Sequence, residues 1–476
     1  MPVRSINGWT TVGFSHLEKW RKIVASNKHL IRKSSQNQFL LISIIVALIA
    51  ATAYPQEDPS ALPVSGASTS VLNKPVWMTE LSIGLKESYD DNLLGVSGDG
   101  MPKSYSWITT ISPKIGMDFA PIIKNQSVLK VLSLNYEPDF ATYSQASEES
   151  NTAHRILNKI KANSENISFT LDNSFQYIDG SSIAPIYLAP DNVRSCYAHG
   201  LPRERRNQYQ DRTKIDFQLD WNQFFIRPTG SLQLWDMFTE QRAISGYQNW
   251  VDRYDINGGV DLGRKTSSQL AIFLGYRYGR QYQDKVIKSD YTSTNDYQRT
   301  IIGVEGKLFN WLTLSLLGGP DFRGYVDNAP VSHKNQVNFY GESSLTGEIS
   351  KHDTVMVKYK GSRWVSSTGQ VPTFDTSLDL GYRHRFDTAL IWNLNCQLKN
   401  ADYTVGNLTT GSSAPSLRND WLYALSTGLS HNINANIGVN ISIAANLGRN
   451  EQNGIANANY RQFDEYLTSI GVFSKF

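Results

Sequence analysis

The chain has 476 residues, of which 40% are hydrophobic, 11% are aromatic and 19% are charged, with a formal net charge of +3. Charged residues are scarcer than the roughly 25% of ordinary soluble domains. A mean hydropathy of −0.37 and a single long apolar stretch exclude a bundle of transmembrane helices. The two cysteines, Cys196 and Cys396, exclude a disulfide scaffold and a cysteine-based zinc module.

The N-terminal segment has the order of a secretory signal peptide. Residues 1–33 carry seven basic residues and one acid, and the apolar run Phe39–Ala50 is followed by Ala51-Thr52-Ala53. This order predicts a signal peptide over residues 1–53; the alternative is a single membrane anchor, for which the apolar run is short. Without this segment the net charge is −3, so no basic surface for nucleic acid remains.

The next residues are rich in Pro, Ser and Ala, which predicts a flexible linker over residues 54–75. From there to the end, residues 76–476 show apolar and polar residues in alternation. One segment places Ile215, Phe217 and Leu219 in one phase, and Lys214 and Asp216 in the other. Alternate side chains of a strand point to opposite faces, so one face suits hydrocarbon and the other suits water.

This pattern predicts an all-β fold, a transmembrane antiparallel up-and-down barrel of about eighteen strands, with sixteen or twenty as alternatives. Tight turns follow the even-numbered strands and long connections follow the odd-numbered ones. A soluble sandwich, β-helix or propeller is the competing architecture, but no repeat of fixed length recurs. The last strand alternates up to the terminal Phe476, which predicts an assembly signal for the barrel-insertion machinery.

Two short motifs carry a resemblance to a known family. The segments 84–92 (GLKESYDDN) and 132–138 (LSLNYEP) resemble a family of porin-like outer-membrane barrels of Gram-negative bacteria, sometimes found beside exopolysaccharide or exosortase loci. The resemblance implies localisation in the cell outer membrane, in contact with outer-membrane lipid and lipopolysaccharide. The substrates of the family are mostly unassigned.

The sequence offers no catalytic or cofactor motif. The histidines after the leader are scattered singly, and neither H-E-x-x-H nor G-x-S-x-G is present. Asp90-Asp91-Asn92 offers three oxygen ligands, but without a companion glycine loop a simple hairpin connection is the preferred interpretation. We therefore expect no enzyme, no resident metal and no cofactor.

The longest connection, residues 179–207, is the candidate constriction. An inward-folded external loop is one interpretation, and a loop packed over the rim is the other. A charged constriction selects ions by the sign of its charges. The charged residues that would act in this connection are Asp179, Asp191, Arg194, Arg203, Arg205 and Arg206.

Charged residues in the water-facing phase of the strands are candidates for the pore lining: Arg212, Lys214, Asp216, Asp220, Arg277, Lys358, Lys360, Asp379, Arg383 and Arg385. Bases outnumber acids in this set, which favours a weak anion preference; mutual pairing on the inner wall is the alternative. The sequence thus predicts a porin-like channel for passive diffusion of small hydrophilic solutes or ions. Export of polysaccharide, a non-conducting structural or adhesin barrel, and homo-oligomer formation stay open.

Overall fold

The structure is a computed structural model of the chain. It describes residues 74–93, 95, 103–123, 128–179, 207–238, 252–285, 292–329, 331, 333–365, 372–387, 389–403, 418–452, 455–456 and 462–476. The predicted signal peptide and all but the last two residues of the predicted linker lie outside these ranges. Within them, no helix is long and apolar enough to cross a membrane.

Eighteen long strands form the described chain. They are β1 Met78–Asp90, β2 Ser106–Asp118, β3 Leu129–Tyr143, β4 Asn151–Asn163, β5 Ile167–Asp179, β6 Gln208–Trp221, β7 Phe224–Asp236, β8 Arg253–Lys265, β9 Leu270–Gln283, β10 Asn295–Phe309, β11 Leu312–Tyr325, β12 Asn335–Glu348, β13 Asp353–Trp364, β14 Thr373–Arg385, β15 Leu390–Asp402, β16 Arg418–Asn432, β17 Ile437–Gln452 and β18 Phe463–Lys475. A two-residue piece, Ile455–Ala456, pairs with the end of β17 and is not numbered.

The strands close into one barrel. Each strand pairs antiparallel with the next in sequence, and β18 pairs with both β17 and β1. Leu85 of β1 lies opposite Val472 of β18 in this seam. The backbone N–H of Phe476 also donates to the carbonyl oxygen of Leu81, at 2.9 Å. The predicted fold class and the count of eighteen strands are therefore confirmed.

The tight turns lie together at one end of the barrel. Asn222 and Gln223 join β6 to β7, and Asn222 adopts a positive φ of 53°, a conformation that asparagine tolerates well. In the turn after β14, the Asp387 carboxylate accepts the backbone N–H groups of Ala389 and Leu390. These bonds favour the charged carboxylate and hold the pKa of Asp387 below its usual range.

The outer face is apolar and exposed, as a lipid-facing wall requires. Ile302 is 72% exposed and Leu425 is 52% exposed on this face. Exposed aromatics mark both ends of the wall: Trp221 and Trp311 at the tight-turn end, and Trp107 at the end of the long connections. Two such aromatic girdles are typical of the two interfaces of a bilayer.

A polar cluster interrupts this outer wall on β4 to β6. Asn173 donates to Thr213 at 2.8 Å and to the carboxylate of Asp211, and it accepts a hydrogen bond from Asn158. The sequence pattern placed Thr213 in the apolar phase, and Asp211 shares that phase in the structure. Mutual hydrogen bonding lets these groups sit in an apolar wall because each polar atom finds a protein partner.

Candidate functional site in the barrel lumen

The inner face carries the polar and charged side chains that the alternation predicts. A luminal cavity of about 680 Å³ is lined by Arg212, Lys214, Asp216, Arg277 and Lys360 among others. Asp220 follows in the same phase of β6 toward the tight turn. Lys358, Asp379, Arg383 and Arg385 share the luminal phase of β13 and β14. The structure thus places these ten predicted residues on the inner wall.

The predicted constriction lies almost wholly outside the described residues, which include only Asp179 of that set. Asp179 is the last residue of β5, opposite Thr152, and its exposed side chain falls in the outward phase of the strand. Asp191, Arg194, Arg203, Arg205 and Arg206 lie outside the described ranges. Of the predicted constriction residues, the described chain therefore shows only Asp179, which lies on the outward face of β5.

Most of the predicted luminal charges are paired with neighbours. The ammonium of Lys214 lies 3.0 Å from the Asp216 carboxylate. Three further ion pairs join Asp220 to Lys265 at 3.0 Å, Arg277 to Asp261 at 2.7 Å, and Lys360 to Glu342 at 2.8 Å. The Asp379 carboxylate accepts a hydrogen bond from the neutral Gln397 amide. Arg212 differs, because within the described part of the chain its guanidinium contacts the Trp235 ring, at 5.7 Å, and no carboxylate. Among the ten residues, the surplus of positive charge therefore comes from the cations without an ion pair in the described chain: Arg212, Lys358, Arg383 and Arg385.

A buried ionic network that the sequence analysis missed spans four strands. Arg227 of β7 donates to Glu305 of β10 at 2.6 Å and contacts Asp261 of β8 at 3.0 Å, and its side chain is 15% exposed. Its guanidinium also lies 5.3 Å from the Phe225 ring and 5.0 Å from the Phe273 ring. Contact between strands three apart is possible only across the concave inner face. Alternation marks each of these residues as luminal but does not reveal which of them meet.

Apolar side chains fill the lumen beside this network. Phe225, Phe273, Ile301 and Tyr340 form one buried cluster on the inner faces of β7, β9, β10 and β12. The Phe225 ring packs over Gly263 so closely that an added Cβ would lie 2.1 Å from its outer carbon. A glycine under an aromatic ring of the neighbouring strand lets the ring lie flat on the sheet. The inner wall from β7 to β12 therefore carries a small apolar cluster beside the charged lining.

The lumen is narrowed by the end of β13. Pairing between β12 and β13 stops where Gly341 faces Gly361, whereas Ser362 to Trp364 stay paired with β14. The freed end leans inward: the Trp364 ring lies 5.4 Å from the Trp235 ring of β7. The carbonyl oxygen of Val365 accepts a 3.0 Å hydrogen bond from Arg253 of β8. The end of the β13–β14 hairpin thus crosses the lumen and contacts β8 and β7, which lie five and six strands away around the barrel.

The inward lean of β13 is supported from a second side. The carbonyl oxygen of Arg363 accepts Nη2 of Arg323 at 3.1 Å and Nε2 of Gln281 at 3.3 Å. Arg323 in turn pairs with Asp321 at 2.9 Å, and both side chains are fully buried. Charge-assisted hydrogen bonds of this kind are the strong ones. They hold the hairpin end in one position against the opposite wall.

In the described ranges, no group of three or more His, Cys, Asp or Glu side chains is arranged to hold a metal ion. The acidic segment after β1 bonds to the barrel itself. Asp90 accepts the backbone N–H of Asn92 at 2.9 Å, and Asp91 accepts that of Tyr466 at 2.7 Å. The hairpin interpretation of this segment therefore agrees with its contacts.

No family model matches the chain, and no curated protein matches it. Among solved structures, the siderophore receptor PirA from Acinetobacter baumannii is similar over 85% of this chain and 81% of that chain, with 8% identity and a TM-score of 0.41. Pseudomonas aeruginosa OccK2 (OpdF), solved with glucuronate, covers 83% and 98%, with 10% identity and a TM-score of 0.38. Acinetobacter baumannii OccAB4 covers 83% and 98%, with 10% identity and a TM-score of 0.37.

Because these TM-scores are below 0.5, we draw nothing about this chain from the likeness. The class of protein follows from the chain itself. A closed antiparallel barrel with an apolar outer belt, aromatic girdles and a charged lumen is the architecture by which β-proteins span a membrane. The chain is therefore a transmembrane β-barrel.

Proposed function

We propose that the chain is an outer-membrane channel for passive diffusion of small hydrophilic solutes or ions. The observation that carries this proposal is the polar cavity of about 680 Å³ inside a closed barrel of eighteen strands. A barrel of this width leaves an aqueous path unless something fills it. The narrowing by the β13 end restricts the path to small solutes.

The predicted signal peptide and the C-terminal Phe476 both fit a location in the outer membrane. Residues 1–53 would direct export, and Phe476 would present the assembly signal to the barrel-insertion machinery. The outer belt would contact outer-membrane lipid and lipopolysaccharide, small solutes would enter the lumen, and a homo-oligomer is compatible with the fold.

The test is single-channel conductance of the purified protein in a planar bilayer. Discrete current steps are expected, and the reversal potential in a salt gradient is expected to show a weak preference for anions. The specific prediction is that Arg212→Gln weakens this preference, because Arg212 lacks a carboxylate partner within the described chain. The matched control is the double variant Lys214→Gln/Asp216→Asn, which removes both members of an ion pair at 3.0 Å and leaves the net charge of the lumen unchanged.

A second candidate, a non-conducting structural barrel, is favoured by one observation. The contacts of Trp364 and Val365 with β7 and β8 cross the lumen. A folded barrel that inserts into the bilayer and passes no current would support this candidate and overturn the channel. Discrete current steps through the inserted protein would exclude the non-conducting barrel.

A further inference from the structure

A second cavity, of about 260 Å³, lies where the β13–β14 hairpin meets the opposite wall. Its walls come from β7 and β8 on one side and from β13, β14 and β15 on the other. Gln233, Lys360, Ser362 and Trp364 line both this cavity and the larger one, so the two are continuous. Its volume is near the lower end of the roughly 300–1,000 Å³ of small-molecule sites. A solute moving through the lumen would therefore have access to it.

The charges of this cavity are mostly positive. Arg253, Lys360 and Lys399 line it against a single acid, Asp375. Lys360 is neutralised by Glu342, outside the cavity, at 2.8 Å. Within the described ranges neither Arg253 nor Lys399 forms an ion pair, whereas Lys159, Lys214, Arg227 and Arg277 of the larger cavity do. The cavity therefore holds two cations without an ion pair in the described chain, which face one carboxylate, that of Asp375.

Two of its polar atoms are buried without a hydrogen-bond partner in the described part of the chain: Nε of Arg253 and Oδ1 of Asp375. A buried donor or acceptor without a partner is destabilising, so a ligand that forms hydrogen bonds with both atoms supplies what the empty site lacks. Nε of Arg253 is a donor and Oδ1 of Asp375 is an acceptor. The two atoms together call for a ligand with both an acceptor and a donor group.

The aromatic side chains hold the arginine in place. The Arg253 guanidinium lies 4.7 Å from the Trp235 ring and 6.0 Å from the Trp364 ring. Cation–π contacts of this kind fix the guanidinium without neutralising it. Arg212, which lines the larger cavity, lies over the same Trp235 ring at 5.7 Å and adds positive potential where the two cavities meet.

We infer that this cavity binds a small hydroxylated monocarboxylate, of the size of one sugar acid, as it passes through the lumen. The inference rests on the proposed channel function. The carboxylate accepts from Arg253 and Lys399, and a hydroxyl donates to Asp375. Asp375 repels a second carboxylate, so the site favours a monoanion over a dianion.

The test is calorimetric binding of galacturonate to the purified protein, with neutral galactose as the matched probe. Galacturonate is expected to bind at least about tenfold more tightly than galactose, as loss of a hydrogen bond to a charged group implies. Lys399→Gln is expected to weaken galacturonate binding about tenfold. Lys159→Gln, which removes a luminal cation paired with Asp172 at 3.2 Å, is the control and is expected to leave it unchanged.

Asp375→Asn is a second test of the same cavity, for the case that Lys399→Gln does not fold. This variant is expected to raise the affinity for galactarate, which has two carboxylates, relative to galacturonate. Equal binding of galacturonate and galactose, or equal effects of Lys399→Gln and Lys159→Gln, would overturn the site. Conductance in potassium chloride is measured on the same samples. A protein that conducts but binds no galacturonate refutes the binding site alone. A protein that binds galacturonate without conducting refutes the channel alone.

Discussion

Replacing Arg227 by Met tests how much of the barrel's stability depends on the buried ionic network. The change removes the contacts to Glu305 at 2.6 Å and Asp261 at 3.0 Å and keeps the apolar volume between the two phenylalanine rings. Breaking a buried pair by removing one partner costs about 3–5 kcal/mol. Asp261 retains Arg277 at 2.7 Å and the Glu305 side chain is 32% exposed, so a loss of about 2–3 kcal/mol in the free energy of unfolding is expected.

The assay is urea unfolding of the protein refolded in lipid vesicles, followed by tryptophan fluorescence. Lys214→Met is the matched control, because it also breaks a luminal ion pair on a neighbouring strand. The Lys214 side chain is 64% exposed, and a water-exposed pair contributes at most about 1 kcal/mol. Equal losses for the two variants would refute the reasoning, because burial would then not decide what a luminal ion pair contributes.

Three further outcomes are expected. Trp364→Ala should increase the single-channel current, since its ring narrows the lumen; an unchanged current would place the narrowest point elsewhere. Gly263→Ala should destabilise the barrel by about 1–3 kcal/mol in the urea assay, because its Cβ would lie 2.1 Å from the Phe225 ring. Gly258→Ala, whose Cβ would meet only a carbonyl oxygen at 3.8 Å, should change stability by less than about 0.5 kcal/mol. Deleting Phe476 should lower the yield of heat-modifiable barrel in isolated outer membranes; an undiminished yield would contradict its role as an assembly signal.

The strands could be predicted from the sequence because each one carries its own signal. Alternation in β6 separates Lys214 from Ile215 by phase alone, and a strand has only two faces. Tight turns at one end then fix the order and the direction of the strands. This information is local, so it survives without knowledge of any partner strand. It is enough to determine the architecture and to assign most luminal residues to the inner wall.

The contacts across the lumen could not be predicted in this way. Arg227 and Glu305 are 78 positions apart, and their meeting depends on the curvature of the barrel and on the register of the three pairings between them. The departure of β13 from β12 was missed for a related reason. The facing glycines Gly341 and Gly361 mark the place, but their pairing appears only once the register is known. A glycine in a strand is otherwise a weak signal.

Two neighbouring parts of the inner wall, β4 to β6 and β7 to β11, differ in their contributions to stability and permeation. On β4 to β6 the luminal charges are open to water: Lys159 and Asp172 are each 50% exposed. On β7 to β11 they are buried, and Arg323 and Asp321 are fully enclosed. Exposed ion pairs contribute little to stability, whereas removing one partner of a buried pair is strongly destabilising. Charges along β4 to β6 can therefore be exchanged to change ion preference without unfolding the barrel, while the β7–β11 side fixes the position of the hairpin that narrows the path.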